Sequence, residues 1–294
     1  MTATPLERLP GRDADVGGAT VRRLLPTKGR RTVGAWCFLD QLAAPDDSAG
    51  GTGGGMQIGP HPHIGLQTVT WLLGGELLHL DSLGSSQRIR PGQLNLMTAG
   101  RGVVHAEERP PDAPDAPAGG AQLWIAQPEA TRHGDPAFEH HASLPTVDLG
   151  PWHATVLVGA FGGEASSART DTPLVGVALA AHDTGTHALA LRPDFEHAVA
   201  VLSGTLTIED QVIEPGELVW LGAGRDRLAA TATGPVDALL LGGEPFETTP
   251  RLWWNFVART EAEIDEAARD WAEGHERFGP VASSLARIDG PTRR

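Results

Sequence analysis

An all-β chain made of two similar strand units, followed by one short C-terminal helix, is the fold class that the sequence predicts. Three observations predict it. The 294 residues include 37 Gly and 23 Pro, about a fifth of the chain where an average protein has ~12%. With no long Gly/Ser tract, that is turn chemistry for many short strands. The runs between the turns are rich in β-branched and aromatic residues, and several alternate apolar with polar. Finally, a strand–turn–strand pattern in the first half recurs in the second, the mark of a duplicated unit forming two barrels or sandwiches.

In chain order, residues 19–40 read as two β-prone runs, TVRRLL and TVGAWCFL, around a Pro-Gly turn. The cluster Arg22, Arg23, Lys28, Arg30 and Arg31 on this hairpin is read as a solvated face that balances an acidic chain. Residues 45–60 form a glycine-rich loop without the Gly-Lys-Ser/Thr ending of a phosphate-binding loop, so no nucleotide role is assigned. Leu66–Leu73 (LQTVTWLL) is a strand broken by Gly74-Gly75, and ELLHLD alternates as a half-buried strand does. That alternation sets His79 and Asp81 opposite Leu78 and Leu80, and so toward solvent. Pro91-Gly92 turns the chain into QLNLMT. Residues 109–121 are too proline-rich for a sheet interior, QLWIA (122–126) resumes a strand, and 127–150 read as a connection.

The second half copies the first. AVAVLSGTLTI (198–208) and the run Val212 to Trp220 around Pro215-Gly216 repeat TVTWLLGGELL and RIRPGQLNLM. We place one domain at 1–135 and the other at 136–294. Near the end, Thr260 and Glu263 form a capping box. Ile264, Ala267, Ala268 and Trp271 then follow at helical spacing, with Gly274 as the stop, so a helix is expected over 261–273 in the second domain.

Composition removes several classes of function. A formal charge of −14 disfavours binding to phosphate backbones. Cys37 is the single cysteine, which excludes an intrachain disulfide and Cys-based zinc frameworks. No basic n-region precedes an apolar stretch and no run reaches the ~18 apolar residues of a membrane span. A cytoplasmic protein without nucleic-acid or membrane partners is expected.

The chemistry concentrates in two pairs, His61-Pro62-His63 and His105-Ala106-Glu107. On a strand, residues i and i+2 point the same way, so each pair offers two ligands in one direction. Two such strands facing each other would gather four ligands at one point. Imidazole and carboxylate accept iron, zinc, manganese, nickel or copper. The second unit lacks an equivalent. Aligning Gly75 with Gly204 sets Ala190 and Arg192 opposite His61 and His63, and aligning the Pro-Gly turns sets Ala229 and Thr231 opposite His105 and Glu107. His182, His187 and His197 lie outside the pattern and read as surface or packed residues.

The spacing of His61, His63, Gln67 and Gly74 resembles the first cupin motif, with Gln67 where many cupins carry a glutamate ligand, and Gly100–His105 resembles the second. The stretch from His61 to Glu107 is similar to the pirin family in particular, as are RRLLP, VGAWCFLD, QLWIA and GGEPFETTPRLWWNFVARTEAEI. That family commonly reads His-Pro-His-Arg-Gly-Phe-Glu, where this chain has Ile64, Leu66 and Gln67.

The resemblance implies a bicupin, two tandem cupin barrels with the metal in the first. It implies one mononuclear divalent metal, Fe(II) before Zn, Ni, Mn or Cu, on His61, His63, His105 and Glu107. It also implies cleavage of a flavonol such as quercetin by a 2,3-dioxygenase reaction, with Glu107 doubling as the base for the substrate proton. The alternative it carries is an iron-dependent, redox-sensitive regulator that binds a partner protein.

Overall fold

The computed structural model describes residues 5–42, 57–113 and 118–293. Among the described residues the fold is almost entirely antiparallel β, with one helix, α1 (Glu261–Glu273). The chain divides into two compact units, neither of them continuous in sequence. The first holds the described residues up to Asp13 together with Arg22–Gln41 and Ser143–Phe246. The second holds Ala14–Val21, the described part of Leu42–Ala142, and the C-terminal segment from Glu247.

In the first unit, seven strands run in the order Glu7–Pro10, Glu217–Gly222, Glu196–Ser203, Val236–Gly243, Leu174–Ala181, Trp152–Val158 and Thr146–Asp148. Gly185–Ala190, Arg227–Ala232, Leu206–Ile208 and Gln211–Ile213 form a second sheet. Leu189, Leu206, Ile208, Leu228, Ala230 and Ala232 of this sheet join Val177, Val199, Val201 and Leu240 in one apolar core. The positions paired with the ligands by turn alignment do not point inward. Ala190 and Ala229 are exposed, and the inward places belong to their neighbours Leu189, Leu228 and Ala230, because a one-residue shift of register reverses every side chain. His197 is buried, whereas His182 is exposed.

The arginine hairpin lies mostly in this unit, where Arg22 pairs with Asp13, Arg23 with Asp40 and Arg30 with Glu7. Trp36 anchors it by donating its indole N–H to the Val175 and Gly242 carbonyls at 3.1 and 3.2 Å.

In the second unit, Ala137–His141, Leu94–Thr98, Leu66–Gly74 and Gly119–Ala126 are neighbours in one sheet. Ile58–His63, Val103–Glu108, Leu77–Asp81 and Ser86–Ile89 form the other. The duplication extends to the turns. Gly75 and Gly204 take φ of +69° and +70°, and Gly92 and Gly216 take +82° and +79°, values that favour glycine.

Three expectations change here. Ala137–His141, read as connection, is a strand, because its polar residues lie at a sheet edge where water satisfies one side. The strand ending in QLWIA already begins at Gly119. Of the glycine-rich stretch, residues 45–56 lie outside the described residues and Ile58–Pro60 belong to a strand.

Helix α1 forms where the capping box places it. Thr260 Oγ1 accepts from the Glu263 N–H at 3.2 Å, Glu263 Oε2 accepts from the Arg259 N–H at 2.9 Å, and Gly274 closes the helix at φ +73°. The helix was expected with the second barrel of the repeat, yet it belongs to the unit that contains the paired histidines. Its buried face of Ile264, Ala267 and Trp271 packs with Phe256, Phe278, Val104 and Ile64. Val104 and Ile64 adjoin His105 and His63, so the helix braces the strands that carry the histidines.

Candidate metal centre

The Ile58–His63 and Val103–Glu108 strands are antiparallel neighbours with His105 directly across from His61 and Val103 across from His63. With side chains alternating along each strand, His61, His63 and His105 emerge on one face. Their ring centroids are 4.3 to 5.0 Å apart. Their nitrogens form, among the described residues, a group of ligand atoms all within 4.8 Å of one another. All three histidines are buried.

Hydrogen bonds decide what the rings present. His61 Nδ1 lies 2.9 Å from the Gly59 carbonyl and His63 Nδ1 lies 3.0 Å from the Asn255 carbonyl. A carbonyl only accepts, so both Nδ1 atoms carry the proton and both Nε2 atoms keep a lone pair. His63 Nε2 lies 3.0 Å from His105 Nε2. Burial holds His61 at a pKa of about 4, although the Gly59 carbonyl raises it. Burial, followed by the neighbouring imidazoles, holds His63 and His105 well below the usual range. The cluster is thus neutral near pH 7, with unprotonated nitrogens converging in a dry place. Buried neutral imidazoles whose nitrogens converge on one point match the donor set of a divalent cation, so the residues fit a metal.

Glu107 follows His105 by two residues on the same strand, across from His79, and is buried. It is not part of the three-histidine group. Burial raises its carboxyl to a pKa of about 7, and a hydrogen bond from Thr70 works in the opposite direction. Near neutrality this carboxyl therefore gives up or takes a proton easily. Gln67 donates to Thr98 Oγ1 at 3.0 Å, and by strand alternation it points to the other face from Thr68 and Thr70.

His79 and Asp81 correct the sequence expectation most sharply. Both are buried, and they point into the barrel beside the cluster instead of out to solvent. His79 Nε2 is 3.0 Å from Asp81 Oδ2, and His79 Nδ1 is 3.4 Å from His105 Nδ1. The alternation was read correctly, but Leu78 is the half-buried partner and the polar face is the inward one. The enclosing sheet explains why. Phe138, from the strand that was read as a connection, stacks on His79 at 4.4 Å between centroids.

Register identifies the opposite wall. Thr70 lies across from Asn95 and Gln122, and Asn95 lies across from His140, so these side chains share the face of Thr70. The next row is Thr68, Trp124, Met97 and Phe138, and the Trp124 ring meets His63 edge-on at 5.2 Å. His140 Nδ1 lies 2.7 Å from Asn95 Oδ1. Gln122 Oε1 is buried without a hydrogen-bond partner.

Two site contributors were not found in the sequence. Asn255 acts through its backbone carbonyl, which no residue type announces. It is presented by a hairpin in which Trp254 takes φ +52°, a costly conformation for a bulky residue. Phe138 was missed because its strand carries no alternation.

A family model described as Pirin matches residues 18–125, and one described as Pirin C-terminal cupin domain matches residues 176–279. A Pseudomonas aeruginosa protein bearing the provisional name quercetin 2,3-dioxygenase is 47% identical, over 97% of this chain and 88% of its own length. Homo sapiens pirin is 29% identical, over 85% of this chain and 87% of its own. The crystal structure of quercetin 2,3-dioxygenase from Acinetobacter baumannii superposes with a TM-score of 0.93 at 41% identity, covering 98% of this chain and 96% of that one.

Proposed function

The chain belongs to the pirin family of tandem cupins, and on that premise we propose that it is a metal-dependent dioxygenase that opens a flavonol-like substrate. The observation that carries the proposal is the convergence of three neutral, buried imidazoles on one point. The quercetin 2,3-dioxygenase names of its relatives point to the substrate class. Iron(II) is the metal we propose, held by His61, His63 and His105, with Glu107 as the fourth ligand.

Bound there, the metal would supply Lewis-acid polarisation and a route for electrons to dioxygen. The protein does the rest. Its histidines are already neutral near pH 7, so no proton must leave them before a cation binds. Glu107, as a carboxylate able to loosen from the metal, would take the proton of a phenolic hydroxyl. The Thr70 hydroxyl holds it in place. Trp124 and Phe138 give flat apolar walls on which an aromatic ring can lie. Gln122 Oε1 is an unpaired buried acceptor for the hydroxyl donors of a polyphenol.

The test is to load the protein anaerobically with iron(II), add quercetin and oxygen, and look for carbon monoxide and the ester product of ring cleavage. Turnover well above that of free iron, lost in His63→Ala, supports the reading. Turnover no faster than free iron removes it.

A further inference from the structure

We infer that the cavity between Trp253 and Trp254, helix α1 and the segment 287–293 is a binding site for a planar aromatic carboxylate that also carries a phenolic hydroxyl. The cavity has a volume of about 550 Å³, and small-molecule sites span about 300–1,000 Å³. Its lining lies wholly in the second unit and includes none of the clustered histidines.

Hydrogen bonds hold the walls in place. Trp271 of α1 donates its indole N–H to the Ile288 carbonyl at 3.1 Å, and the Ile288 N–H donates to the Pro60 carbonyl at 2.9 Å. Arg287 donates to the Trp271 carbonyl and lies 3.5 Å over the Trp271 ring. The C-terminal segment is thus fastened both to α1 and to the strand Ile58–His63. Gly290 closes on Trp254, since a Cβ there would stand 3.2 Å from the indole. Trp254 lines the cavity, and the next residue, Asn255, gives its carbonyl to His63. The site therefore adjoins the histidine cluster along the chain without sharing a residue with it.

The lining selects the ligand. Trp253 and Trp254 are half-buried and meet at 69° with centroids 6.2 Å apart, a corner of indole surface that suits a flat ring. Arg293 is held by Glu261 and Asp265 at 2.7 and 2.5 Å, yet its Nη1 is buried without a hydrogen-bond partner. A buried donor left unpaired is costly, so this atom calls for an acceptor. Arg287 is exposed and keeps donors beyond the one given to the Trp271 carbonyl. With Arg269, the lining carries three positive charges against two negative ones, from Asp265 and Asp289. In a chain of net charge −14, that excess is a local attraction for an anion, and a carboxylate matches the fork of a guanidinium. Asp289 is exposed. It repels a second negative charge and accepts a hydrogen bond from a phenolic hydroxyl. A monoanion with a hydroxyl group therefore fits where a dianion does not.

The probe is 6-hydroxy-2-naphthoate, titrated by calorimetry into the full chain, once metal-depleted and once loaded with nickel(II). A Kd of about 100 µM or below is expected for a ligand of this size, the same within about twofold in the two forms. The corresponding carboxamide should bind about tenfold more weakly or worse, the scale of a lost charged hydrogen bond. Arg293→Met should weaken binding of the acid by a similar factor. So should Ala272→Phe, which fills the cavity from an exposed position on α1. In wild-type protein made with fluorine-labelled tryptophan, the signals of Trp253 and Trp254 should shift on binding, a readout that needs no variant.

Absence of binding up to about 2 mM, a carboxamide as tight as the acid, or shifts confined to other tryptophans overturns the inference. A folded Arg293→Met with unchanged affinity overturns it too. So does binding seen only with nickel(II), which would put the carboxylate on the metal. If the wild type takes up no nickel(II), the metal-centre reading fails, and the metal-depleted titration still decides this one separately.

Discussion

Loading the protein with a metal at two pH values should release a number of protons that identifies Glu107 as a ligand. At pH 6, a histidine with an ordinary pKa of about 6.5 is roughly three-quarters protonated, so three of them would release about 2.3 protons on binding a cation. The histidines here are different. His61, at a pKa of about 4, carries only about 0.01 proton at pH 6, and His63 and His105 are also held well below the usual range. Glu107, at a pKa of about 7, carries about 0.9 proton at pH 6 and about 0.1 at pH 8. If it becomes a ligand, it must lose that proton. Release should therefore be close to one proton at pH 6, fall to near zero by pH 8, and vanish at both values in Glu107→Gln. Calorimetry in buffers of different ionisation enthalpy counts these protons. Nickel(II) suits the assay better than zinc, whose bound water itself can ionise near pH 7. Release of two or more protons at pH 6, or a release of one proton that persists in Glu107→Gln, would refute the reasoning.

Other outcomes follow from the same geometry. Thr70→Val removes the hydrogen bond that opposes burial at Glu107, so the midpoint of proton release should move above pH 7 in the same titration. Glu107→Gln should lower quercetin turnover per bound metal by about 10²-fold or more, the scale of a lost general base; unchanged turnover per metal would remove that role. Trp271→Ala empties the buried face of α1 and should cost about 3–5 kcal/mol in urea unfolding, with nickel(II) affinity falling as well because α1 braces the histidine strands. His197, buried in the first unit with a pKa of about 4, is neutral when folded but charges when unfolded. Stability should therefore be undiminished above pH 6.5 and fall by up to about 3 kcal/mol on acidification to pH 4. His197→Gln should remove that part of the pH dependence in unfolding titrations.

The sequence makes the all-β class, the duplicated turn pattern and helix α1 legible for one reason: each depends on short-range rules. Gly75 and Gly204 mark turns because their backbone angles demand glycine, and Thr260 with Glu263 marks a helix start because the partners are three residues apart. The same-face rule likewise brings His61, His63 and His105 together, since it needs only strand alternation. Failures occur where a decision depends on distant chain. Alternation gave His79 and Asp81 a common face but not its direction, which is settled by Phe138, some 60 positions away. The turn alignment of the second repeat landed one residue off the inward positions, because matching turns does not fix the pleat of a strand. Asn255 was out of reach because a backbone carbonyl leaves no trace in residue type.

The central claim is that three imidazoles of the pirin-type first cupin hold one metal. X-ray absorption of the iron- or nickel-loaded protein tests it most directly. The account predicts a shell fitted by three histidine nitrogens, together with oxygen donors, and the loss of imidazole scattering in His63→Ala and His105→Ala. A shell of oxygen donors alone, or one imidazole unaffected by either substitution, would contradict it.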